Sequence, residues 1–104
     1  MIKYKIEITN EALRDMEEIY NYIARELLSP DNAMYQYNRI ANAIMKLDIF
    51  PQKFQILESE PEREKELRRM PVDNYSIFYV IKEDKVVITN VLYSASNIQS
   101  KLNS

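Results

Sequence analysis

LRRMPVDNYSIFYVIKEDKVVITNVLY, residues 67–93, is the stretch that decides the fold. It divides into three runs, Leu67–Val72, Tyr75–Ile81 and Val86–Tyr93, the last two dense in β-branched and aromatic side chains that suit a pleated, half-buried surface. Asp73-Asn74 and Glu83-Asp84 separate them at two-residue hairpin length. Asn and Asp tolerate left-handed backbone, so they can turn a chain that contains no glycine. Three consecutive antiparallel strands are therefore expected, with Tyr75, Ile77 and Tyr79 together on a core face.

Upstream, Tyr4, Ile6 and Ile8 alternate with Lys3, Lys5, Glu7 and Thr9, the period of a strand with one buried face. Thr9 or Asn10 can cap a helix, and Glu11 sits where a carboxylate suits the helix dipole. Ala12, Leu13, Met16, Ile19, Tyr20, Ile23 and Leu27 then recur at spacings of three and four. Arg14, Asp15, Glu17, Glu18 and Asn21 take the opposite side, which predicts an amphipathic helix of about five turns. Ser29-Pro30 starts a second helix, with Pro at the first helical position. Its stripe is Ala33, Tyr37, Ile40, Ala41, Ile44 and Leu47, and it ends before Phe50-Pro51. So short a connection makes the pair an antiparallel hairpin. Tyr20, Tyr22, Tyr35 and Tyr37 are expected to pack between these helices with wet hydroxyls rather than to form a base-stacking platform.

Residues 51–66 are irregular. Glu58, Glu60, Glu62, Glu64 and Glu66, interspersed with Pro61, Arg63 and Lys65, match no cation-binding loop spacing and predict a solvated loop. Asn97 to Leu102 can form one closing turn of helix. The order is β-α-α-β-β-β: an α+β protein, a helical hairpin on one face of a mostly antiparallel sheet, with residues 1–104 as one domain.

Composition narrows the chemistry. Of 104 residues, 46% are hydrophobic and 29% charged, a globular mix. With no Cys, His or Gly, the chain lacks thiolate and imidazole metal ligands, the Ser-His-Asp triad, and the glycine loops that cradle phosphates and dinucleotides. No metal or small-molecule cofactor is expected. The formal charge of −2 offers no overall basic footprint for nucleic acid. No apolar run approaches membrane-spanning length, and Met1-Ile2-Lys3-Tyr4-Lys5 does not read as a signal peptide. A cytoplasmic protein with no membrane partner is expected.

Over about residues 3–102 the sequence resembles the RelE/ParE superfamily, the small toxins of bacterial type II toxin–antitoxin modules. The carriers are Tyr4-Lys-Ile-Glu-Ile8, Ala12 to Ala24, Ser29-Pro30 with Asn32-Ala33, Leu47 through Pro51, Leu67 through Val72 with Asn74 through Tyr79, and Val91-Leu92-Tyr93-Ser94. Their order and spacing carry the resemblance more than any single piece. It implies a growth inhibitor held inactive by a cognate antitoxin, which wraps it with an amphipathic helix and an extended segment. It also implies a small sheet with one concave functional face. Members similar to RelE cut messenger RNA on the ribosome, whereas members similar to ParE poison DNA gyrase and need no nuclease site.

Metal-free RNA cleavage needs a base, an acid and cations facing the developing phosphorane charge. By resemblance, Arg68 or Arg69 matches the family's strand arginine, Tyr93 matches a position where relatives carry His or Tyr, and Lys53 can add a substrate-binding charge. Strand alternation puts the two arginines on opposite faces, so at most one enters a cleft. Nuclease-like relatives continue after the Tyr93 position with arginines, but here Ser94-Ala95-Ser96-Asn97 follows. A phenol with an ordinary pKa near 10 is a poor base at neutral pH without cationic help. The expectation is a toxin that binds its target, DNA gyrase. The alternatives are a ribosome-dependent mRNA endoribonuclease or a degenerate inactive member. Convergence of Arg68, Arg69, Tyr93 and Lys53 on one phosphate-sized spot would favour catalysis.

Overall fold

The computed structural model describes residues 2–102. Strand β1, Lys5–Ile8, turns Ile6 and Ile8 toward the interior and leaves Lys5 and Glu7 exposed. Thr9 caps helix α1, Asn10–Asn21, its hydroxyl accepting the Ala12 N–H at 3.1 Å and satisfying one of the donors that a helix start leaves open. Beyond Asn21 the helical path widens into a π-turn, Tyr22–Glu26, so the expected long helix is α-helical only in its first part. Leu28 takes a left-handed φ of 51° and reverses the chain into helix α2, Pro30–Met45, with Pro at its start. Ser29 flanks α2 without capping it. Its hydroxyl accepts from the Asn32 side-chain amide at 2.7 Å instead of from a backbone N–H.

Strands β2 (Arg68–Val72), β3 (Tyr75–Lys82) and β4 (Lys85–Tyr93) follow as an antiparallel meander. Strand β1 adds parallel to β4, giving the sheet order β1-β4-β3-β2. Asp73 and Glu83 take the left-handed turn conformation, with φ of 55° and 56°. The second turn thus uses a glutamate, a residue with no special tolerance for that region. Around the first, Arg39 of α2 forms a two-pronged ion pair with the Asp73 carboxylate at 2.7 and 3.0 Å, and Gln36 donates to it at 3.0 Å.

The hairpin covers one face of the sheet, as its stripes require. Ala12, Met16, Ile40, Ile44 and Leu47 meet Met70, Val72, Ile77, Tyr79, Val86, Ile88 and Val91 in the main core. Each fully buried Ile or Leu contributes roughly 1.5–3 kcal/mol of transfer free energy. Leu13 and Leu27, counted in the α1 stripe from spacing, lie at its margins and stay exposed. Tyr20 and Tyr37 pack edge to face at 6.3 Å as expected, but Tyr22 and Tyr35 are exposed. Their spacing from Tyr20 and Tyr37 carries them off the contact stripe.

The other face has its own small core of Leu67, Phe78 and Leu92. The short helix α3, Ile98–Leu102, lays Ile98 and Leu102 on it. The Glu-rich segment crosses the same side and corrects the expectation of a wholly solvated loop: Glu62 is 2% exposed. Its Oε1 accepts from Ser59 Oγ and Gln99 Nε2, while Oε2 has no hydrogen-bond partner among the described residues. One carboxylate thereby ties this segment to α3.

Asp15 departs from its expected place on the solvent side of α1. Strand β1 stops at Ile8 while β4 continues to Tyr93, so Val91 lies past the last β1 partner. The Asp15 carboxylate accepts the Val91 N–H at 2.9 Å. Burial pushes the Asp15 carboxyl above its ordinary value, Glu18 and Glu11 add to the rise, and the Val91 hydrogen bond and Lys101 oppose it.

Candidate functional site

The four side chains singled out from sequence occupy three separate places. Arg68 lies opposite Tyr79, on the hairpin side of the sheet. There the chain leaves α2 through Lys46–Asp48, takes a left-handed φ of 50° at Phe50, and makes a second short 3-10 turn, Pro51–Lys53. That turn presents backbone carbonyls to the sheet. Tyr79 donates its hydroxyl to Pro51 O at 2.6 Å, and Arg68 Nη1 donates to Phe54 O at 2.7 Å and Gln52 O at 3.2 Å. Burial pushes the Tyr79 phenol up to about 12, though nearby Arg68 acts in the opposite sense. This phenol stays neutral and donates; it is not a base. Arg68 and Tyr79 together brace the turn. Lys53 sits on the turn itself, exposed, with its ammonium 5.5 Å from the Phe54 ring centroid.

Arg69 lies opposite Phe78, on the α3 side, as strand alternation demands. Its Nε donates to Ser76 Oγ at 2.9 Å, and that hydroxyl is 2.8 Å from Ser94 Oγ. The guanidinium carbon is 6.0 Å from the Phe78 ring centroid. Among the described residues no carboxylate forms an ion pair with Arg69.

Tyr93 is half exposed at the far end of β4, edge-on to Tyr75 at 5.8 Å. Burial raises the Tyr75 phenol, with Tyr93 and Tyr22 reinforcing the rise. Tyr93 pairs with Tyr75, and Arg68 with Tyr79. Four residue steps along β3 thus separate Tyr93 from Arg68, roughly 13 Å along the strand. The chain after Tyr93 folds into a tight turn in which Ser96 donates to Tyr93 O through both N–H and Oγ. Ser94, Ala95 and Ser96, and no cation, therefore follow Tyr93. The structure brings Arg68 and Lys53 to one turn, leaves Arg69 on the other face and keeps Tyr93 at the other end.

Two open grooves lie on the surface. One, of ≈ 380 Å³, runs between α1 and α2 and is lined by Glu17, Tyr20, Asn21, Met34, Tyr37 and Asn38. Near it Tyr22, Leu27, Leu28, Met34 and Tyr35 expose apolar surface at the hairpin tip. The other, of ≈ 450 Å³, lies on the α3 side of the sheet, with Leu67, Val80, Asn90 and Leu102 among its lining residues. The buried Glu62, and Asp15 on its backbone N–H, were missed from sequence. Nothing in an alternating Glu run marks the one member that meets α3, and the Asp15 contact spans 76 positions. Among the described residues no group of three or more Asp or Glu is placed to hold a metal ion, and no helix is long and apolar enough to cross a membrane.

Residues 6–98 match the family model of the ParE toxin of type II toxin–antitoxin systems. No curated protein matches the chain by sequence. Among solved structures, the chain is similar to one from the chromosomal ParDE toxin–antitoxin system of P. aeruginosa. The two are 16% identical with a TM-score of 0.74, covering 88% of this chain and 96% of that one. It is also similar to a chain of the toxin–antitoxin complex RelBE2 from Mycobacterium tuberculosis, 20% identical with a TM-score of 0.63, covering 92% of this chain and 97% of that one. At such identities the likeness speaks to the fold.

Proposed function

From the premise that this chain belongs to the ParE toxin family of type II toxin–antitoxin systems, we propose that it inhibits growth by binding a target, DNA gyrase, and not by cutting RNA. It works as one domain in the cytoplasm, and a cognate antitoxin silences it. The observation that carries the reading is the dispersal of Arg68, Arg69, Lys53 and Tyr93. Phosphoryl chemistry requires a base, an acid and cations around a single phosphate. Here Arg68 is engaged with backbone carbonyls, Arg69 faces the other side of the sheet, and Tyr93 has a tyrosine, not a cation, against its ring. The thiol and imidazole routes are closed, because the chain has no Cys and no His.

The test is a pair of assays on purified protein. Gyrase supercoiling is expected to fall as the toxin is added. Translating ribosomes given the same toxin are expected to yield messenger RNA without new ends in codon register. Codon-register cuts abolished by Arg69→Ala, with supercoiling untouched, would establish the endoribonuclease alternative. Silence in both assays, with no growth defect on induction, would mark a degenerate member. Coexpression with the small reading frame beside this gene is expected to relieve toxicity.

A further inference from the structure

Four lysines gather on the α3 side of the sheet, the side that the Glu-rich segment also crosses. Ile6, Ile8, Val86, Ile88 and Ile81 point into the main core, so their strand neighbours Lys5, Lys85 and Lys82 fall on the α3 side. Register places these lysines in one row across three strands, Lys82 opposite Lys85 and Lys85 opposite Lys5. Lys65 and Lys82 line the ≈ 450 Å³ groove at the end of that row. All four lysines are exposed. None forms an ion pair among the described residues, although Glu7 shares the face and Glu83 and Asp84 make the adjacent turn. Placing like charges directly across strands is unfavourable, and here Lys82 faces Lys85 and Lys85 faces Lys5.

Between the lysines the groove is lined by Leu67, Val80 and Leu102, with Asn90 beside them. That combination discriminates between ligands. A single-stranded nucleic acid wants cations together with exposed aromatic rings for its bases, and Phe78, the aromatic ring of this face, is fully buried. An apolar floor with ammonium groups on its rim instead complements a peptide that buries aliphatic side chains and carries carboxylates beside them.

We propose that this groove docks a segment of the antitoxin in which aliphatic residues are flanked by aspartates or glutamates. The inference rests on the antitoxin pairing proposed above and adds to it the place and the chemistry of contact. The test titrates the protein product of the neighbouring reading frame into this protein and into its Lys82→Glu/Lys85→Glu variant, at low and high salt. Both lysines are exposed beside a turn, so an unchanged melting temperature is expected and verifies folding. Wild-type affinity should fall with salt, and the double variant should bind about tenfold to a hundredfold more weakly. Val80→Asp, which places a carboxylate on the floor, should weaken binding as well. Absence of wild-type binding would overturn the pairing and this inference together. Wild-type binding that the lysine reversals leave unchanged would overturn the inference alone. So would a double variant that keeps the protein partner but loses short single-stranded RNA, since the groove would then be a nucleic-acid site.

Discussion

The two faces of the sheet are made from the same strands and have been put to different uses. The face under the helical hairpin holds a dozen buried residues drawn from both helices, the turn after α2 and strands β2, β3 and β4, with Ile6 and Ile8 of β1 packed against them. The face under α3 holds three, a braced carboxylate at Glu62, the Arg69 guanidinium on Ser76 and a lysine-rimmed groove. Strand alternation makes this division possible, because each residue commits to one side. The first face secures the fold, which leaves the second free to carry exposed charge and open apolar surface for other molecules.

The largest expected effect tests whether stability really resides on the first face. Ile77→Ala removes a fully buried side chain from the middle of the main core and should cost about 2–5 kcal/mol in urea unfolding. Leu102→Ala trims a half-buried residue of a five-residue helix on the second face and should cost about 1 kcal/mol or less. Equal losses would mean that α3 and its small core belong to the same cooperative unit as the hairpin side.

Legibility from sequence follows the same division. The meander, the hairpin and β1 were readable because each has a period set by one continuous buried face: two for Tyr4, Ile6 and Ile8, and three to four for Ala12 through Ile23. The parallel pairing of β1 with β4 left no such local trace. Neither did the burial of Glu62, which depends on Gln99 arriving from far along the chain. The site residues were legible as residue types and by resemblance. Alternation correctly divided Arg68 from Arg69. It did not show that Arg68 would be spent on the carbonyls of the 51–54 turn, because no pattern in that irregular segment announces where its carbonyls point.

A smaller effect concerns the seam where helix and sheet exchange a hydrogen bond. Asp15→Ala leaves the Val91 N–H without its acceptor and should cost about 1–3 kcal/mol. Asp15→Asn keeps an acceptor and should cost less. The two also separate in pH dependence. Because burial raises the native Asp15 pKa above its ordinary 3.8, the folded state holds this proton more tightly than the unfolded chain does. Its contribution is therefore fully present below 3.8 and is lost as pH rises through the native value. Asp15→Asn should flatten the unfolding free energy across that window. An unchanged pH profile would show that the carboxyl titrates as it does in the unfolded chain.

Asp73 supplies the opposite sign and the smallest effect. The Arg39 and Gln36 hydrogen bonds hold its carboxyl below the ordinary 3.8, so its contribution is present above that value and is lost as pH falls through the native one. The clasp is solvent-exposed, and exposed ion pairs are weak and screened by salt. Asp73→Asn is the informative substitution, because asparagine keeps the tolerance for the left-handed φ of 55° while it removes the charge and one of the two oxygens that accept from Arg39. Its melting temperature should fall slightly at low ionic strength, and the difference from wild type should close in high salt. A deficit that persists in salt would show that the clasp works through hydrogen-bond geometry rather than charge. The turn between β2 and β3 would then depend on α2 for its shape, and the hairpin would hold the strand connections as well as the face beneath it.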